Sequence, residues 1–304
     1  MIKTIHRHEH HLGWDNSTPP LQTVAPGERV ELELMDASRG FFTPTSTAST
    51  LAELELSNAN PLTGPIYIDG AEPGDTLVVH IHDYASLHWG WTAIIPGFGL
   101  LVDDFTEGLM HLSDYDQYFV DFAPGVRLPT LPFAGTMGVA PAALGNHSAV
   151  PPQRTGGNMD VKSLVAGTTL YLPVEVPGAL FSAGDGHAAQ GDGELCGTAI
   201  ETELSIEVSF SLNKVEASPS PRFLTSGVVD RGPCLATTGI GPDLMIAAQD
   251  AARYLIDRLV IERGLTPELA YCLLSVAADL RIAAIVNMPN WTVVCEIPSS
   301  VFTD

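Results

Sequence analysis

Side chains able to do chemistry are densest in the segment 184–194, which reads GDGHAAQGDGE. Three carboxylates, one imidazole and one carboxamide stand there among four glycines. They are Asp185, His187, Gln190, Asp192 and Glu194. Asp, His and Glu are ligands that suit zinc and similar divalent ions, and a further Glu can act as general base on water beside such an ion. The segment therefore predicts a metal site, with an acidic surface loop between two strands as the alternative.

A second candidate is the histidine-rich start of the chain, where His10 and His11 precede the polar run Gly-Trp-Asp-Asn-Ser. Histidines at every second position from His6 to His10 would share one face of a strand, because side chains alternate along a strand. The pattern is compatible with a metal-binding face and with a solvated N-terminal segment, and it leaves both interpretations open.

The run GGNMD at 156–160 adds a carboxamide and a carboxylate, Asn158 and Asp160, beside two glycines. Taken alone, it is typical of an Asx turn that precedes a strand. His147 lies a short distance upstream in a proline-rich stretch and is a further candidate ligand.

Cys196 is the cysteine nearest to this chemistry, two residues after Glu194. Together with Lys162 these residues could form a Glu-Lys-Cys amidase arrangement. The Gly-Thr that follows Cys196 is typical of the start of a strand, which favours a buried thiol. The patterns G-x-S-x-G, G-x-G-x-x-G and Walker A are absent from the sequence, so a nucleophile-elbow serine and a nucleotide-binding loop are unsupported.

The elements that must position these residues are mainly strands, with two helices near the C-terminus. Each of the first two predicted strands follows a Pro-Gly pair, typical of a type II turn. The third contains a proline, which predicts an edge strand or a bulge. The predicted strands are 30–35, 76–81, 169–176, 203–212 and 291–297, and the predicted helices are 242–263 and 266–280.

This order of elements predicts an α+β fold that is mainly β, with barrel-like or sandwich-like sheets and a C-terminal helix pair. The regions 1–135 and 136–304 differ in character, the second holding the glycine-rich segment and the helices. The two regions could still form one integrated domain.

Composition excludes several classes of partner. The 304 residues carry 14 basic and 36 acidic side chains, a net charge of −22, which disfavours nucleic acid and anionic membranes. The N-terminal segment lacks an apolar core typical of a signal peptide, and no 18-residue apolar run predicts a membrane span. Four widely spaced cysteines are typical of free thiols in a reducing compartment, so we expect a cytoplasmic protein.

These segments together resemble the acetamidase/formamidase family. The resemblance is carried by HHLGWDNSTPP at 10–20, GPIYIDGAEPGDTLVVHI at 64–81, WGWTAIIPGFGLL at 89–101 and the long glycine-rich block at 156–201. It implies hydrolysis of short aliphatic amides, or lactams in some members. It also implies a divalent metal (zinc, with calcium as the alternative), a mainly β fold and assembly into homo-oligomers.

Residue by residue, the segment 184–194 matches the family's GD-x-H-A-x-x-GDGE motif, and 156–160 matches its GGN-x-D motif. Many members have a histidine immediately before GGN, where this chain has Thr155. If that histidine binds metal or substrate, His147 or the N-terminal histidines would have to replace it.

The resemblance implies metal-assisted hydrolysis in which Glu194 moves the proton and the Gly156–Asn158 backbone stabilises the oxyanion. It assigns catalysis to Glu194, Asp160 and Asn158, substrate binding to Gln190, Gly157 and Trp14, and metal ligation to His187, Asp185, His11 and His10. The alternatives are a non-catalytic β-domain that binds a metal or a small molecule, and a cysteine amidase that uses Cys196.

Overall fold

The computed structural model describes residues 2–55, 58–86, 88–215, 217–226 and 232–302. The strands in chain order are β1 (Lys3–Ile5), β2 (His10–Leu12), β3 (Gln22–Val24), β4 (Arg29–Leu34), β5 (Pro61–Ile68), β6 (Thr76–Ser86), β7 (Trp89–Ile94), β8 (Leu109–Asp114), β9 (Phe119–Ala123), β10 (Val126–Pro129), β11 (Phe133–Val139), β12 (Gly156–Asn158), β13 (Thr169–Pro173), β14 (Phe181–Ala189), β15 (Ile200–Glu201), β16 (Leu204–Asn213), β17 (Arg222–Leu224), β18 (Cys234–Gly241), β19 (Asp279–Ala284) and β20 (Trp291–Pro298). The α-helices are α1 (Leu244–Arg263) and α2 (Pro267–Ala277).

Within the described residues, the strands form two nine-stranded sheets and a small hairpin of β9 and β10. The first sheet has the order β1-β4-β16-β6-β13-β17-β18-β20-β19. The second has the order β12-β11-β14-β15-β7-β8, with β5 also paired to β14 and with β2 and β3 paired to β5. Apolar side chains of both sheets share one buried cluster, in which Leu32 and Val79 of the first sheet join Phe133 and Phe181 of the second. The predicted mainly β fold with C-terminal helices is confirmed.

The predicted N-terminal strands form because their apolar residues alternate. Val30, Leu32 and Leu34 are fully buried along β4, and the residues between them are partly exposed. Gly27 and Gly74 have φ values of +85° and +97°, which confirms the type II turns before β4 and β6.

The proline in β13 predicted an edge or a bulge, and both alternatives are wrong, because β13 is internal and pairs with β6 and β17 without a shift in register. Strand β13 lies between β6 and β17 inside the first sheet. It tolerates proline because Pro173 is its last residue, beyond the three residues that pair with β17.

The sequence allowed the glycine-rich segment to be a loop between two strands. In the structure, its first part belongs to the central strand β14, which ends at Ala189. Its glycines serve close approach of neighbouring backbones. A Cβ atom at Gly184 would lie 2.1 Å from the carbonyl oxygen of Pro61, and one at Gly186 would lie 2.3 Å from that of Thr202. The segment 156–158 is likewise a strand, β12, paired with β11, rather than an isolated Asx turn.

Both helices begin close to their predicted starts, each at a residue whose side chain caps the helix. Asp243 caps α1 by accepting a hydrogen bond from the backbone of Ile246, and Gly264 ends it with a φ of +65°. Thr266 caps α2. This helix ends at Ala277, earlier than predicted, because the next residues form β19 alongside β20.

Helix α1 lies on β18 and β20 of the first sheet and buries Leu255 and Leu259 against Val293 and Ile297. No helix in the described part of the chain is long and apolar enough to cross a membrane. The division near residue 135 stays a prediction. Strand β11 runs through that position, and both large sheets combine strands from the two regions.

Candidate metal-binding active site

Five ionisable side chains converge at one end of β14, although they come from different segments of the chain. Two lie on β14 itself, one on β15, one follows β12 and one follows β14. They are Asp160, Asp185, His187, Glu194 and Glu201, and all are buried. Burying five such groups together is costly unless they are neutralised or bind a cation, so the cluster is a functional-site candidate.

The imidazole of His187 is the centre of the cluster. Its Nε2 atom lies 3.2 Å from Glu201 Oε1 and 3.3 Å from Asp185 Oδ1, and its Nδ1 atom lies 4.0 Å from Asp160 Oδ1. The ring is packed at right angles against buried Phe133, with 5.0 Å between the ring centroids. His187 therefore faces carboxylates through both nitrogens while a rigid aromatic contact holds its plane.

The described residues contain two groups of potential metal ligands, and within each group the ligand atoms all lie within 4.8 Å of one another. One group is Asp160, Asp185 and His187, and the other is His187, Glu194 and Glu201. Both groups contain His187, so this imidazole is common to the two possible metal sites.

Three of the acidic residues have a backbone conformation that is unusual for residues other than glycine. The φ values are +48° for Asp160, +61° for Asp185 and +50° for Glu194. Each such residue costs on the order of 1–3 kcal/mol, and such residues cluster at functional sites. The surrounding sheets maintain this strain, and the three strained residues are all acidic members of the cluster.

Gly135 on β11 forms the floor of the cluster. A Cβ atom at this position would lie 2.5 Å from Asp160 Oδ1, 2.7 Å from Asp185 Oδ2 and 2.7 Å from His187 Cε1. Only glycine leaves space for these three groups to meet over one strand.

Neutral side chains and backbone groups hold the acidic groups from outside. Asn287 donates through Nδ2 to Asp160 Oδ2. Gln190 donates through Nε2 to the carbonyl oxygen of Asp160, at 2.9 Å. The backbone N–H of Ala199 donates to Glu201 Oε1, also at 2.9 Å.

Four buried atoms of the cluster make no hydrogen bond within the described residues. They are Asp160 Oδ1, Asp185 Oδ1, and both Nδ1 and Nε2 of His187. Unpaired buried oxygen and nitrogen acceptors directed towards one another are the arrangement that a divalent cation would satisfy. Asp160, Asp185 and His187 therefore fit a bound divalent metal.

Burial and mutual repulsion shift the proton affinities of these groups. Burial, with a smaller contribution from neighbouring Asp185, raises the pKa of Asp160 to about 7. Burial likewise raises the pKa of Glu201 to about 7, and it places the pKa of Glu194 well above its usual range. For His187, burial lowers the pKa, but the carboxylates of Glu201 and Asp185 outweigh burial and raise the pKa well above its usual value. The metal-free cluster therefore retains protons that a cation would displace.

A cavity of about 130 Å³ opens beside the cluster, and we call it the inner cavity. Asp185, Glu194 and Glu201 lie in its polar wall, while Trp91 and Phe98 lie in its apolar wall. Its volume is well below the roughly 300–1,000 Å³ of sites for drug-sized ligands, so it suits a ligand of few heavy atoms.

The structure brings together four of the residues singled out in the sequence: Asp160, Asp185, His187 and Glu194. Asn158 lines the inner cavity, where its Oδ1 accepts a hydrogen bond from Thr136 Oγ1 at 2.7 Å. Gln190 contacts the backbone of Asp160 and lines a neighbouring groove rather than the inner cavity.

The N-terminal histidines do not join the cluster. The Nδ1 atom of His10 lies 2.9 Å from the carbonyl oxygen of Arg7. The His11 ring bonds the Gly13 carbonyl oxygen and Ser182 Oγ. The expected single strand face is wrong, because β1 ends at Ile5 and β2 begins only at His10.

Trp14 is fully buried and packs with Leu62 and Ala149, outside the inner cavity. It lies beside Gly157, where an added Cβ atom would be 3.5 Å from the indole Nε1. His147 pairs with the backbone of Trp14, and its Nε2 lies 3.2 Å from the carbonyl oxygen of Ala143. Trp14 therefore packs beside the GGN strand, and His147 contacts the backbone of Trp14.

Sequence reasoning missed Glu201 as a member of the cluster. Its signal was a carboxylate that directly follows the apolar pair Ala199-Ile200 at the start of a strand region. It also missed Gly135 and Asn287, whose roles depend entirely on what the fold places beside them.

Comparisons with known proteins agree with this fold. The model of the acetamidase/formamidase family matches residues 3–148 and 142–304. A putative formamidase of Schizosaccharomyces pombe is 31% identical over 72% of this chain and 68% of its own length. A formamidase of Methylophilus methylotrophus is 27% identical over 96% and 89% of the two chains. The crystal structure of an acetamidase from Bacillus halodurans superposes with a TM-score of 0.91 and 30% identity, covering 98% of each chain.

The fold and these relatives define the class of protein: this chain is an amidohydrolase, an enzyme that hydrolyses amide C–N bonds. The alternative of a non-catalytic binding domain is therefore not retained. Within that class, the chain belongs to the acetamidase/formamidase family.

Proposed function

We propose that the enzyme hydrolyses a short aliphatic amide of the formamide or acetamide type to a carboxylate and ammonia, with a divalent metal held by Asp160, Asp185 and His187. The observation that carries the proposal is the set of buried, unpaired ligand atoms of these three residues beside a small cavity. Asp160 takes the third ligand position that the sequence had offered to His10 or His11.

The donor set supports zinc as the metal. An imidazole ligand favours zinc over the hard alkaline-earth ions, whereas carboxylates also accept calcium, which is the alternative. When bound, such an ion polarises the amide carbonyl and makes water more acidic.

Glu194 is the group that moves the proton. Its carboxylate lines the inner cavity, where it accepts a proton from the attacking water and later passes it to the nitrogen. The nitrogen must be protonated because an amide anion is a very poor leaving group. The C–N bond breaks as the new C–O bond completes the carboxylate, and the nitrogen leaves as ammonia.

Other residues position these groups. Asn287 fixes one oxygen of Asp160, so the other oxygen is directed towards the ligand set. Glu201, held by the Ala199 N–H, lies 3.2 Å from His187 Nε2 and places a further carboxylate beside the ring. The backbone of 156–158 pairs with β11. The stabilisation of the oxyanion that was expected of this backbone is therefore not part of the proposal.

The small inner cavity supports a short acyl group. Trp91, Phe98 and Ile95 supply the apolar wall against which a hydrogen atom or a methyl group packs. A longer acyl chain would exceed the space opposite the acidic groups.

The test is ammonia release from formamide and acetamide, and amino-acid formation from a γ-lactam, by one preparation divided into two halves. One half is stripped with a strong chelator, and metal content is counted in both. We expect activity to disappear with the metal and to return with added zinc. Activity that survives complete stripping would exclude the metal-dependent mechanism. Bound metal without ammonia from any primary amide would exclude the proposed substrates.

A further inference from the structure

A second concave surface lies next to the inner cavity, and we call it the outer groove. Its volume is about 480 Å³, several times that of the inner cavity. Its walls are mainly apolar and include Phe122, Leu128, Leu131 and Ile200. Formamide and acetamide have only two or three heavy atoms besides the nitrogen, so they are far too small to fill this groove.

Glu194 and Thr198 line both the inner cavity and the outer groove. Glu194 is 7% exposed, so its carboxylate forms part of the boundary between two concave spaces rather than part of the outer surface. Gln190, in the groove wall, also donates to the carbonyl oxygen of Asp160 at 2.9 Å. The groove is therefore continuous with the residues of the active site, and it borders the group that protonates the leaving nitrogen.

We infer that the outer groove receives the apolar nitrogen substituent of a secondary amide, so that the enzyme also hydrolyses N-alkyl or N-benzyl formamides and acetamides. This inference rests on the proposed function. The reaction is R–CO–NH–R′ plus water giving R–COO⁻ and R′–NH₃⁺. The C–N bond breaks, a C–O bond forms, and the nitrogen of the departing amine takes the proton from Glu194.

The direction of the substituent follows from the position of Glu194. The reacting carbonyl must face the ligand set, and the nitrogen must lie beside Glu194 to be protonated. A substituent on that nitrogen then points past Glu194 to the outer groove, whereas the acyl group faces the inner cavity. Each methylene buried in the apolar groove raises kcat/KM by about fourfold until the groove is filled.

The test compares formamide, N-butylformamide, N-benzylformamide and hexanamide as substrates of the metal-loaded enzyme. Wild-type enzyme is expected to hydrolyse the two N-substituted formamides with kcat/KM at least tenfold above formamide, and hexanamide poorly. Leu128→Trp narrows the groove and should lower kcat/KM for the N-substituted substrates by at least tenfold, while formamide turnover stays unchanged. Val126→Trp is the matched control, because Val126 lies on the same strand β10 but is exposed and outside the groove lining.

A second variant guards against misfolding. Leu128→Asn keeps most of the side-chain volume but removes apolar surface. It should therefore reduce the increase in kcat/KM per methylene without blocking the binding of N-butylformamide. Formamide turnover serves as the folding control for both Leu128 variants.

The outcomes separate this inference from the proposed function. Formamide hydrolysis with no turnover of N-substituted formamides overturns the inference and leaves the proposed function standing. The inference is likewise overturned, with the proposed function intact, if Leu128→Trp lowers both substrate classes equally or lowers neither. Absence of hydrolysis for every amide in metal-loaded enzyme overturns both.

Discussion

The Asn287 side chain donates a hydrogen bond to Asp160 Oδ2 across 127 positions of the chain. The same amide group reaches the carbonyl oxygen of Asn158 at 3.3 Å. Asn287 thus connects the segment before β20 to the GGN-x-D motif, while Asp160 Oδ1 makes no hydrogen bond within the described residues.

Replacing Asn287 by leucine should weaken metal binding about 10–100-fold, because residues that orient a ligand carboxylate affect affinity by that amount. Equilibrium dialysis against zinc measures the effect. Asn290→Leu is the matched control, since Asn290 lies in the same segment and bonds Pro152 rather than the cluster. Equal affinity in wild type and Asn287→Leu would mean that Asp160 needs no such support.

Replacing Glu194 by glutamine should lower kcat about 10²–10⁴-fold while metal content stays that of wild type, because the proton carrier is lost and the three ligands remain. Steady-state ammonia release and metal analysis of the same sample measure the two effects. Asp192→Asn, which changes a partly exposed partner of Lys162, serves as the control. Loss of metal together with activity would instead make Glu194 a ligand.

Replacing Gly135 by alanine should abolish most activity, because the new methyl group occupies the space between Asp160, Asp185 and His187. The expected readout is a loss of metal affinity larger than the loss of thermal stability. Gly241→Ala is the control: a Cβ atom there would meet no heavy atom within 4 Å. A metal-loaded, fully active Gly135→Ala enzyme would contradict the geometry assigned to the ligand set.

The metal-free protein should lose stability as pH rises from about 4 to 8. The pKa values of Asp160 and Glu201 rise from 3.8 and 4.5 to about 7, so the folded state binds more protons than the unfolded state in that window. The raised pKa of His187 acts in the same direction above its ordinary value of 6.5.

Metal binding displaces these protons, so the stabilisation by zinc should grow over the same pH range. Thermal unfolding of metal-free and zinc-loaded protein between pH 5 and 8 measures the difference in Tm. This difference removes the contribution of the other titrating groups, which both forms share. A difference in Tm that is constant with pH would show that no proton is displaced.

Replacing Cys196 by alanine should leave activity close to that of wild type. The thiol is half-buried and donates to the carbonyl oxygen of Thr198 at 3.4 Å, while Lys162 pairs with Asp192 at 3.1 Å. Cys196 and Lys162 thus each contact a residue outside the Glu-Lys-Cys arrangement, which favours the metal-dependent mechanism. Amide hydrolysis by the variant, with iodoacetamide treatment of wild type in parallel, is the measurement. Loss of activity in both would restore the cysteine mechanism.

The sequence determined the class of fold and most of the acidic cluster. Alternation along 30–35 and 203–212 predicted strands because one face of each must enter the core. The predicted helix bounds at 263 and 266 agree with the caps at Gly264 and Thr266, since capping depends on local sequence. The glycine-rich segment indicated Asp185, His187 and Glu194 by residue type and spacing, while oligomeric assembly and a cytoplasmic location stay predictions.

Only the tertiary structure decided which residues complete the site. Gly135, Glu201 and Asn287 lie far apart in sequence, and their contacts with the cluster arise from pairing of β11, β14 and β15 and from the turn before β20. Pairing of β2 with β5 places His10 and His11 outside the candidate metal-binding groups of the described residues. Hydrogen bonding between strands joins distant segments, and a local pattern carries no information about which strands become neighbours.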